Sequence, residues 1–346
     1  MKSLQRDLGE VLEASHSDVL SFRNMRLYMT GGTGFVGTWF LSSIVHANAK
    51  AAARIRVDVL TRDPNRFVVA APHVARDGLI RLVRGDVISP PEPEALYDAV
   101  VHAATPADAV LNAQAPETML HTIVEGTRRV MAIARRSGAI PLLFTSSGAV
   151  YGRQPPDLEH VSEAFGGGPD PLSCASAYAE GKRIGELECV LGATSGVRAT
   201  IARLFAFLGP YLPLDRHYAA GNFMRDALSG GPIRIAGDGS SVRSYLYASE
   251  LTSWLWAVLA RGQSGRAYNV GSDAPVDIEK LAKMTAAVVA PDATVSIAKS
   301  RTAHAPVERY VPDVTRITRE LGVRSLIDLG EALRRTAEWH RAQLAS

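Results

Sequence analysis

The sequence predicts an α/β fold, a doubly wound parallel sheet with a smaller C-terminal lobe, on three observations. From about residue 25 to 205, short apolar runs alternate with helix-patterned stretches, as strands joined by crossover helices do. The first run leads directly into the glycine-rich TGGTGFVG. Beyond residue 205 the pattern breaks into Pro- and Gly-punctuated pieces such as GPYLPLD and SGGPIRIAGDGSS, which suit a second, smaller lobe.

The elements follow in chain order. Residues 1–24 carry Leu4, Leu8, Val11 and Leu12 at helical spacing, so an amphipathic helical extension is expected beside the main domain. MRLYM (25–29) is the first predicted strand, and the glycine-rich turn and an apolar helix follow it. IRVDVL (55–60), IRLVRGD (80–86), AVVHAA (99–104), IPLLFTSS (140–147) and RATIARLF (198–205) read as further strands, with ETMLHTIVEGTRRVMAIARRSG as an intervening helix. Residues 25–205 therefore form a predicted dinucleotide-binding domain, completed by segments near 240–272, and 206–346 form mainly a substrate lobe. A ligand cleft is expected at the carboxyl ends of the strands, between the lobes.

Bulk properties narrow the function. A chain of 346 residues, 47% hydrophobic, exceeds the usual single core and suits one large or two joined domains. Its 38 Lys and Arg nearly balance 35 Asp and Glu, and they are scattered, which gives nucleic acid no electrostatic footprint. Cys174 and Cys189 stand outside any CxxC or His-rich stretch, so no disulfide framework and no metal site is expected. The charged N-terminus does not resemble a signal peptide, and no apolar run reaches the ~18 residues of a membrane span. These features point to a cytoplasmic protein without a membrane partner.

Gly31, Gly34 and Gly37 lie between the first strand and its helix. There, missing side chains let the backbone approach a pyrophosphate, while the helix N-terminus supplies N–H groups and a positive dipole. Asp86, after the third strand, can accept a hydrogen bond from an adenine amino group. Tyr178 and Lys182 share one helix face at a spacing that lets an ammonium lower a phenol pKa. Ser147, at a strand end, can hydrogen-bond the substrate oxygen that the phenolate deprotonates, which completes an acid–base device for hydride transfer.

In this order the motifs resemble the extended short-chain dehydrogenase/reductases, in particular the NAD-dependent epimerase/dehydratases that act on nucleotide sugars. GGTGFVG resembles the family's cofactor loop, GDV its adenine contact, HAA (102–104) its fourth-strand segment, TSSGAVYG its serine segment and YAEGK its Tyr-xxx-Lys. The resemblance implies a Rossmann fold and a nicotinamide cofactor touched by Gly31, Thr33, Gly34, Phe35, Val36, Gly37, Asp86, Val87, Ala103, Ala104, Tyr178 and Lys182. It implies oxidation at the sugar C4, with Tyr178 taking the hydroxyl proton and Ser147 orienting the keto oxygen. It further implies Asn222 near the diphosphate, Arg243 on a phosphate, the strand from Ile233 to Ile235 along the nucleobase, and a homodimer formed through helices holding residues 118–136 and 176–191.

Departures from the family pattern shape the reading. The acid and base that dehydratases carry after the catalytic hydroxyl are replaced by Gly148 and Ala149, the second of which also stands where decarboxylases keep a Glu. Ile123 and Ala206 stand where asparagines are usual, and YAEGKR is reminiscent of the decarboxylases. The second strand ends in Thr61–Arg62 with Asp63 after it, so Arg62 tilts the expected cofactor from NAD towards NADP. His102, Trp254 and Trp256 read as structural. The leading expectation is a nucleotide-sugar 4-epimerase. Its rivals are a 4-keto-6-deoxysugar reductase, a dehydratase or decarboxylase whose acid and base lie elsewhere, at Glu180 or Glu163 for instance, and a non-catalytic cofactor-sensing protein.

Overall fold

The computed structural model describes residues 2–105, 109–138, 140–215, 218–302 and 306–344. Its centre is a sheet of parallel strands: β1 (Arg26–Thr30), β2 (Arg56–Thr61), β3 (Ile80–Arg84), β4 (Ala99–His102), β5 (Pro141–Ser147) and β6 (Arg198–Leu204). The seventh strand comes from far downstream, past β7 (Ala206–Leu208), β8 (Ile233–Ile235), β9 (Val242–Arg243) and β10 (Tyr245–Tyr247), as β11 (Ala267–Val270). The order is β11-β6-β5-β4-β1-β2-β3, so the winding reverses between β1 and β4. Ligands bind at such a reversal in open α/β sheets. The first strand lies one residue later than MRLYM predicts, because Thr30 still pairs with Leu60 and His102.

The strands are nearly continuous apolar runs because helices cover both faces. Before the sheet stand α1 (Lys2–Ala14) and α2 (His16–Leu20). Between its strands run α3 (Phe35–Ala51), α4 (Pro64–Ala70), α5 (Pro72–Ala75), α6 (Ala109–Gln114), α7 (Pro116–Arg136) and α8 (Ala177–Thr194). The one carboxylate inside β2, Asp58, is buried but met by Arg26, Arg81 and the Tyr97 hydroxyl at 2.8–2.9 Å. Against the penalty of burial, those hydrogen bonds and charges hold its carboxyl below the usual range.

The C-terminal lobe packs α9 (Ala219–Leu228), α11 (Ile278–Val289) and α13 (Leu329–Leu344) around β8, beside the short strands β12 (Val276–Asp277), β13 (Val295–Ile297) and β14 (Arg309–Tyr310), whereas α10 (Ala248–Arg261) and α12 (Thr315–Leu321) bury their apolar faces in the core of the central sheet. Phe223, Met224, Leu281 and Leu333 form part of its core. The N-terminal extension is helical and docked through buried Leu4, Leu8 and Val11. Its buried Asp7 accepts hydrogen bonds from Tyr247 at 2.7 Å and from Arg335 at 3.0 Å, which ties α1 to both β10 and α13. None of the described helices is long and apolar enough to cross a membrane.

Candidate active site

The turn after β1 is shaped by what stands opposite it. Gly31 has φ +71°, and a Cβ there would lie 2.2 Å from the Ala103 carbonyl carbon, so the end of β4 presses directly on the glycine loop. A Cβ on Gly37 would lie 2.2 Å from the Gly31 oxygen, so that glycine lets α3 close on the loop. Gly34 differs. It caps α3 with φ −84° and ψ 177°, and a Cβ there would meet nothing nearer than 3.6 Å. Packing does not demand this glycine, and the first turn of α3 holds no acidic side chain, so the N–H groups and dipole of this helix end suit an anion such as a pyrophosphate.

Thr33 and Gly34 are exposed, while Phe35 and Val36 are half-buried beside them. The Ala103 and Ala104 N–H groups donate to the Thr30 carbonyl and hydroxyl, which holds that segment against the loop. Asp86 turns its carboxylate onto the Ile88 N–H at 3.1 Å, and Val87 is buried against Gly126 of α7. At the end of β2, Asp63 caps α4 by accepting from the Arg66 N–H at 3.1 Å, which leaves exposed Arg62 as the polar group facing outward.

Ser147 ends β5 and accepts the Ala149 N–H at 3.2 Å. Tyr178 is carried in by α8, and the nearby Ser147 hydroxyl works against the effect of burial on its phenol. Lys182, one turn along α8, is buried and donates to the Thr145 carbonyl and the Thr105 hydroxyl, both at 2.6 Å, with its ammonium 4.8 Å from the Phe144 ring centre. Burial pulls its pKa down to about 7, against the charge of Glu186, which pushes it up. The expectation that the ammonium lowers the Tyr178 phenol needs correction here. Burial holds that phenol above its ordinary value, the Ser147 hydroxyl opposes this, and Lys182 is spent on the two threonines.

Three residues that the motifs did not single out complete the surroundings. Glu186 lies one turn beyond Lys182, where it accepts from Ser146 at 2.6 Å and from Arg203 at 2.9 and 2.5 Å, so Ser146 anchors β5 to α8. The signal for it was present as a third polar residue at helical spacing after Tyr178 and Lys182. Thr105 lies just past HAA. Tyr310 comes from β14 and was invisible in sequence, since only the fold sets its hydroxyl 2.7 Å from where a Cβ on Gly148 would stand. His102 is structural: its ring bonds Thr30 at 2.7 Å and Thr127 at 3.1 Å, and burial lowers its pKa to about 3, so it stays neutral.

The substrate-lobe residues fare unevenly. Ile233 and Ile235 are 0% and 2% exposed in the core of the lobe, so their side chains do not line a nucleobase; the alternation of β8 turns Arg234 outward instead. Asn222 is half-buried on α9 and accepts from Arg225 at 3.3 Å. Arg243 is paired with Glu308 at 2.6 Å, a contact that a phosphate would have to displace. Ile123, in place of an asparagine, packs against Gly181 between α7 and α8. Glu163 is engaged by the Asn269 N–H at 2.7 Å and by Arg316, and Glu180 by Arg183. An open pocket of about 430 Å³ lies beside Tyr310, lined also by Arg153, Asp238, Ser240 and Arg309. Among the described residues no group of His, Cys, Asp and Glu side chains is arranged to hold a metal.

Comparison with known proteins agrees with this architecture. The chain is 31% identical over 315 residues to a UDP-glucuronic acid decarboxylase of Arabidopsis thaliana, covering 90% of this chain and 69% of that protein. A dTDP-glucose 4,6-dehydratase of Streptomyces venezuelae, solved with NAD bound, superposes with TM-score 0.77 at 26% identity, covering 93% of this chain and 98% of the other. A UDP-glucose 4-epimerase of Thermotoga maritima shares the fold, with TM-score 0.76 at 20% identity over 92% of this chain and all of that one. The family described as NAD dependent epimerase/dehydratase matches residues 27–271. With its glycine loop at the β1–β4 reversal and its Ser147 beside Tyr178, the chain belongs to that NAD-dependent epimerase/dehydratase family of enzymes.

Proposed function

We propose that this enzyme inverts C4 of a nucleotide hexose, with a UDP sugar as the substrate class that the relatives suggest. The loop Gly31–Gly37 would hold the nicotinamide cofactor, which would supply reversible hydride transfer at the carbon bearing the reacting hydroxyl. Tyr178 takes that hydroxyl's proton and gives it back, Ser147 hydrogen-bonds the oxygen while it is a carbonyl, and Lys182 keeps positive charge under the site. The observation that carries the reading is the crowding at Gly148. A Cβ there would lie 2.7 Å from both the Phe205 ring and the Tyr310 hydroxyl, so position 148 has no room for a carboxylate side chain, and Ala149 beside it carries none. Elimination of water needs a further acid and base, whereas inversion at C4 needs neither.

Pairing through α7 and α8 is part of the proposal, supported by Leu187, Val190 and Leu191 standing exposed on α8. A preference for NADP is supported by Arg62, whose guanidinium suits a 2′-phosphate now that Asp63 is spent on its cap.

A second reading, decarboxylation of a nucleotide uronate, is favoured by the relatives named UDP-glucuronic acid decarboxylase. Oxidation at C4 sets a ketone β to the C5 carboxylate; carbon dioxide leaves as its bonding electrons move into that ketone, C5 of the resulting enolate takes a proton from water, and the hydride returns to C4, so the carbon–carbon bond itself breaks without a second acid or base. One experiment separates the two. Incubation with UDP-hexoses and UDP-glucuronate, without added cofactor, is followed by mass and by sugar configuration. The proposal expects unchanged mass with inverted C4. A product lighter by carbon dioxide establishes the decarboxylase, and a requirement for added reduced cofactor establishes a reductase.

A further inference from the structure

α8 brings Tyr178 to the site, yet its own sequence gives it no cap. The residue before the helix, Ser176, has φ −79° and ψ −5°, and its side chain makes no capping hydrogen bond. The first N–H groups of a helix have no partner within it, and one of them belongs to Tyr178, the second residue of α8. That N–H donates instead to Asn112 Oδ1 at 3.0 Å, across 66 residues of chain. The same carboxamide donates through Nδ2 to the Ala175 carbonyl at 2.9 Å, in the 3₁₀ turn Cys174–Ser176 that leads into α8.

Asparagine suits this place because its carboxamide carries an acceptor on one side and donors on the other. Packing does not explain it: Asn112 is half-buried, and α6, which carries it, buries none of its side chains. The bonded N–H is that of Tyr178 itself, so the contact acts at the root of the phenol-bearing side chain. One turn on, Lys182 is held by the Thr145 carbonyl and the Thr105 hydroxyl, each at 2.6 Å. Thr105 and Asn112 both lie on the connection between β4 and α7, so one stretch of chain grips α8 at Tyr178 and at Lys182.

We propose that Asn112 is a positioning residue: its carboxamide supplies from α6 the cap that α8 lacks, and so sets where Tyr178 presents its phenol to the reacting hydroxyl. The inference rests on the reading that Tyr178 transfers the substrate proton. It does not depend on whether the net product is an epimer, a pentose or a reduced sugar. Asn112 touches neither substrate nor cofactor in this role; it acts through the backbone of Tyr178. A small displacement of that backbone matters because proton transfer requires the phenol within about 2.6–3.2 Å of the oxygen that it serves.

The test measures kcat and KM on UDP-glucose or UDP-glucuronate, whichever the product assay shows to be turned over. Asn112→Leu keeps the shape of the side chain without its donor or acceptor, and is expected to lower kcat about tenfold, the loss of one hydrogen bond, with KM within about twofold. Its melting temperature is expected to fall by no more than about 3 °C, as for a lost helix cap. Asn112→Asp keeps the acceptor for the Tyr178 N–H and is expected to return kcat to within about threefold of wild type, which a purely structural loss would not predict. In the Tyr178→Phe background, Asn112→Leu is expected to cost less than about twofold, because no phenol proton remains to be placed. Wild-type kcat in Asn112→Leu, no recovery in Asn112→Asp, or the same loss with and without the Tyr178 hydroxyl overturns the proposal and leaves the role of Tyr178 standing. Wild-type activity in Tyr178→Phe overturns both.

Discussion

Gly34→Ala separates what the glycine loop does for folding from what it does for binding. Alanine adopts the Gly34 conformation, φ −84° and ψ 177°, without strain, and its methyl would stand 3.6 Å from the nearest heavy atom. Fewer unfolded conformations favour the variant by about 0.4–1 kcal/mol. Alanine is a poorer N-cap than glycine by a similar amount. The two effects offset, so the stability of the cofactor-free protein is expected to change by less than about 1 kcal/mol. Binding is another matter, because the methyl fills the space through which a pyrophosphate reaches the N–H groups of α3. A cofactor at about 100 times its Kd stabilises the wild type by about 2.7 kcal/mol, roughly 5 °C at about 2 °C per kcal/mol for a chain of this size. Thermal unfolding with and without NAD or NADP is expected to show that shift in the wild type and none in Gly34→Ala. Gly31→Ala provides the contrast: φ +71° costs about 1–2 kcal/mol and the 2.2 Å approach to Ala103 about 1–3 more, so this variant is expected to unfold early even without cofactor. A full cofactor shift in Gly34→Ala would refute the assignment of that space to the pyrophosphate. A cofactor-free loss of several kcal/mol would refute the packing argument.

Three further outcomes follow from the site. Tyr178→Phe is expected to lower kcat by about 100- to 10,000-fold while the melting temperature holds, and steady-state rates within about threefold of wild type would remove it from the proton-transfer role. Glu186→Gln removes the anion that raises the Lys182 pKa, so the limb of kcat/KM on which Lys182 loses its charge, near pH 7, is expected to move to lower pH. Because the change also breaks the Arg203 pair, which costs up to about 3–5 kcal/mol for a buried pair, the pH at the limb rather than the absolute rate is the measurement, and an unmoved limb counts against the coupling. Arg62→Ala is expected to weaken NADP at least about fivefold in calorimetric titration with NAD unchanged, and equal losses for both would place the guanidinium away from the 2′-phosphate.

What the sequence discloses follows the range of the interactions. The strands of the sheet are visible because each is a local apolar run, and the Gly31, Gly34 and Gly37 spacing is visible because one loop carries it. The family match over residues 27–271 and the parallel order of the sheet bear out that local reading. Failures arise where a side chain's direction depends on distant partners. Ile233 and Ile235 suit a ligand groove and a buried strand equally well, and only the packing of the lobe turns them inward. Lys182 has the spacing to influence Tyr178, yet the Thr145 carbonyl, 37 residues away, and the Thr105 hydroxyl, 77 residues away, claim its ammonium. Tyr310 lies 163 residues beyond Ser147 on a two-residue strand, which no periodicity marks.

The adjacent serines of β5 show how one segment serves both stability and chemistry. Ser146 gives its proton to Glu186, which also holds Arg203 through two nitrogens; Arg203 in turn donates to Tyr151 at 2.9 Å, and Tyr151 donates to Asn269 of β11 at 2.7 Å. This chain of hydrogen bonds links α8, β5, β6 and β11, so the helix that carries Tyr178 and Lys182 is fixed against the sheet by groups that touch no substrate. Ser147, one residue on, is the last register pair with β6, opposite Leu204, and begins the turn over which Tyr310 lies. Its hydroxyl therefore remains free of the sheet network, while its backbone is held by it. Losing the Ser146 hydroxyl would loosen the angle at which α8 presents Tyr178 and Lys182, whereas losing the Ser147 hydroxyl would leave the helix in place and remove the group proposed to meet the reacting oxygen. Ser146→Ala is thus expected to lower the melting temperature by the ~1–3 kcal/mol of an unsatisfied buried partner and to affect kcat little at low temperature, and Ser147→Ala to do the reverse. Melting curves and rates measured on the same two variants check this, and a Ser146→Ala protein that is fully stable yet slow would show that the two hydroxyls have been assigned the wrong way round.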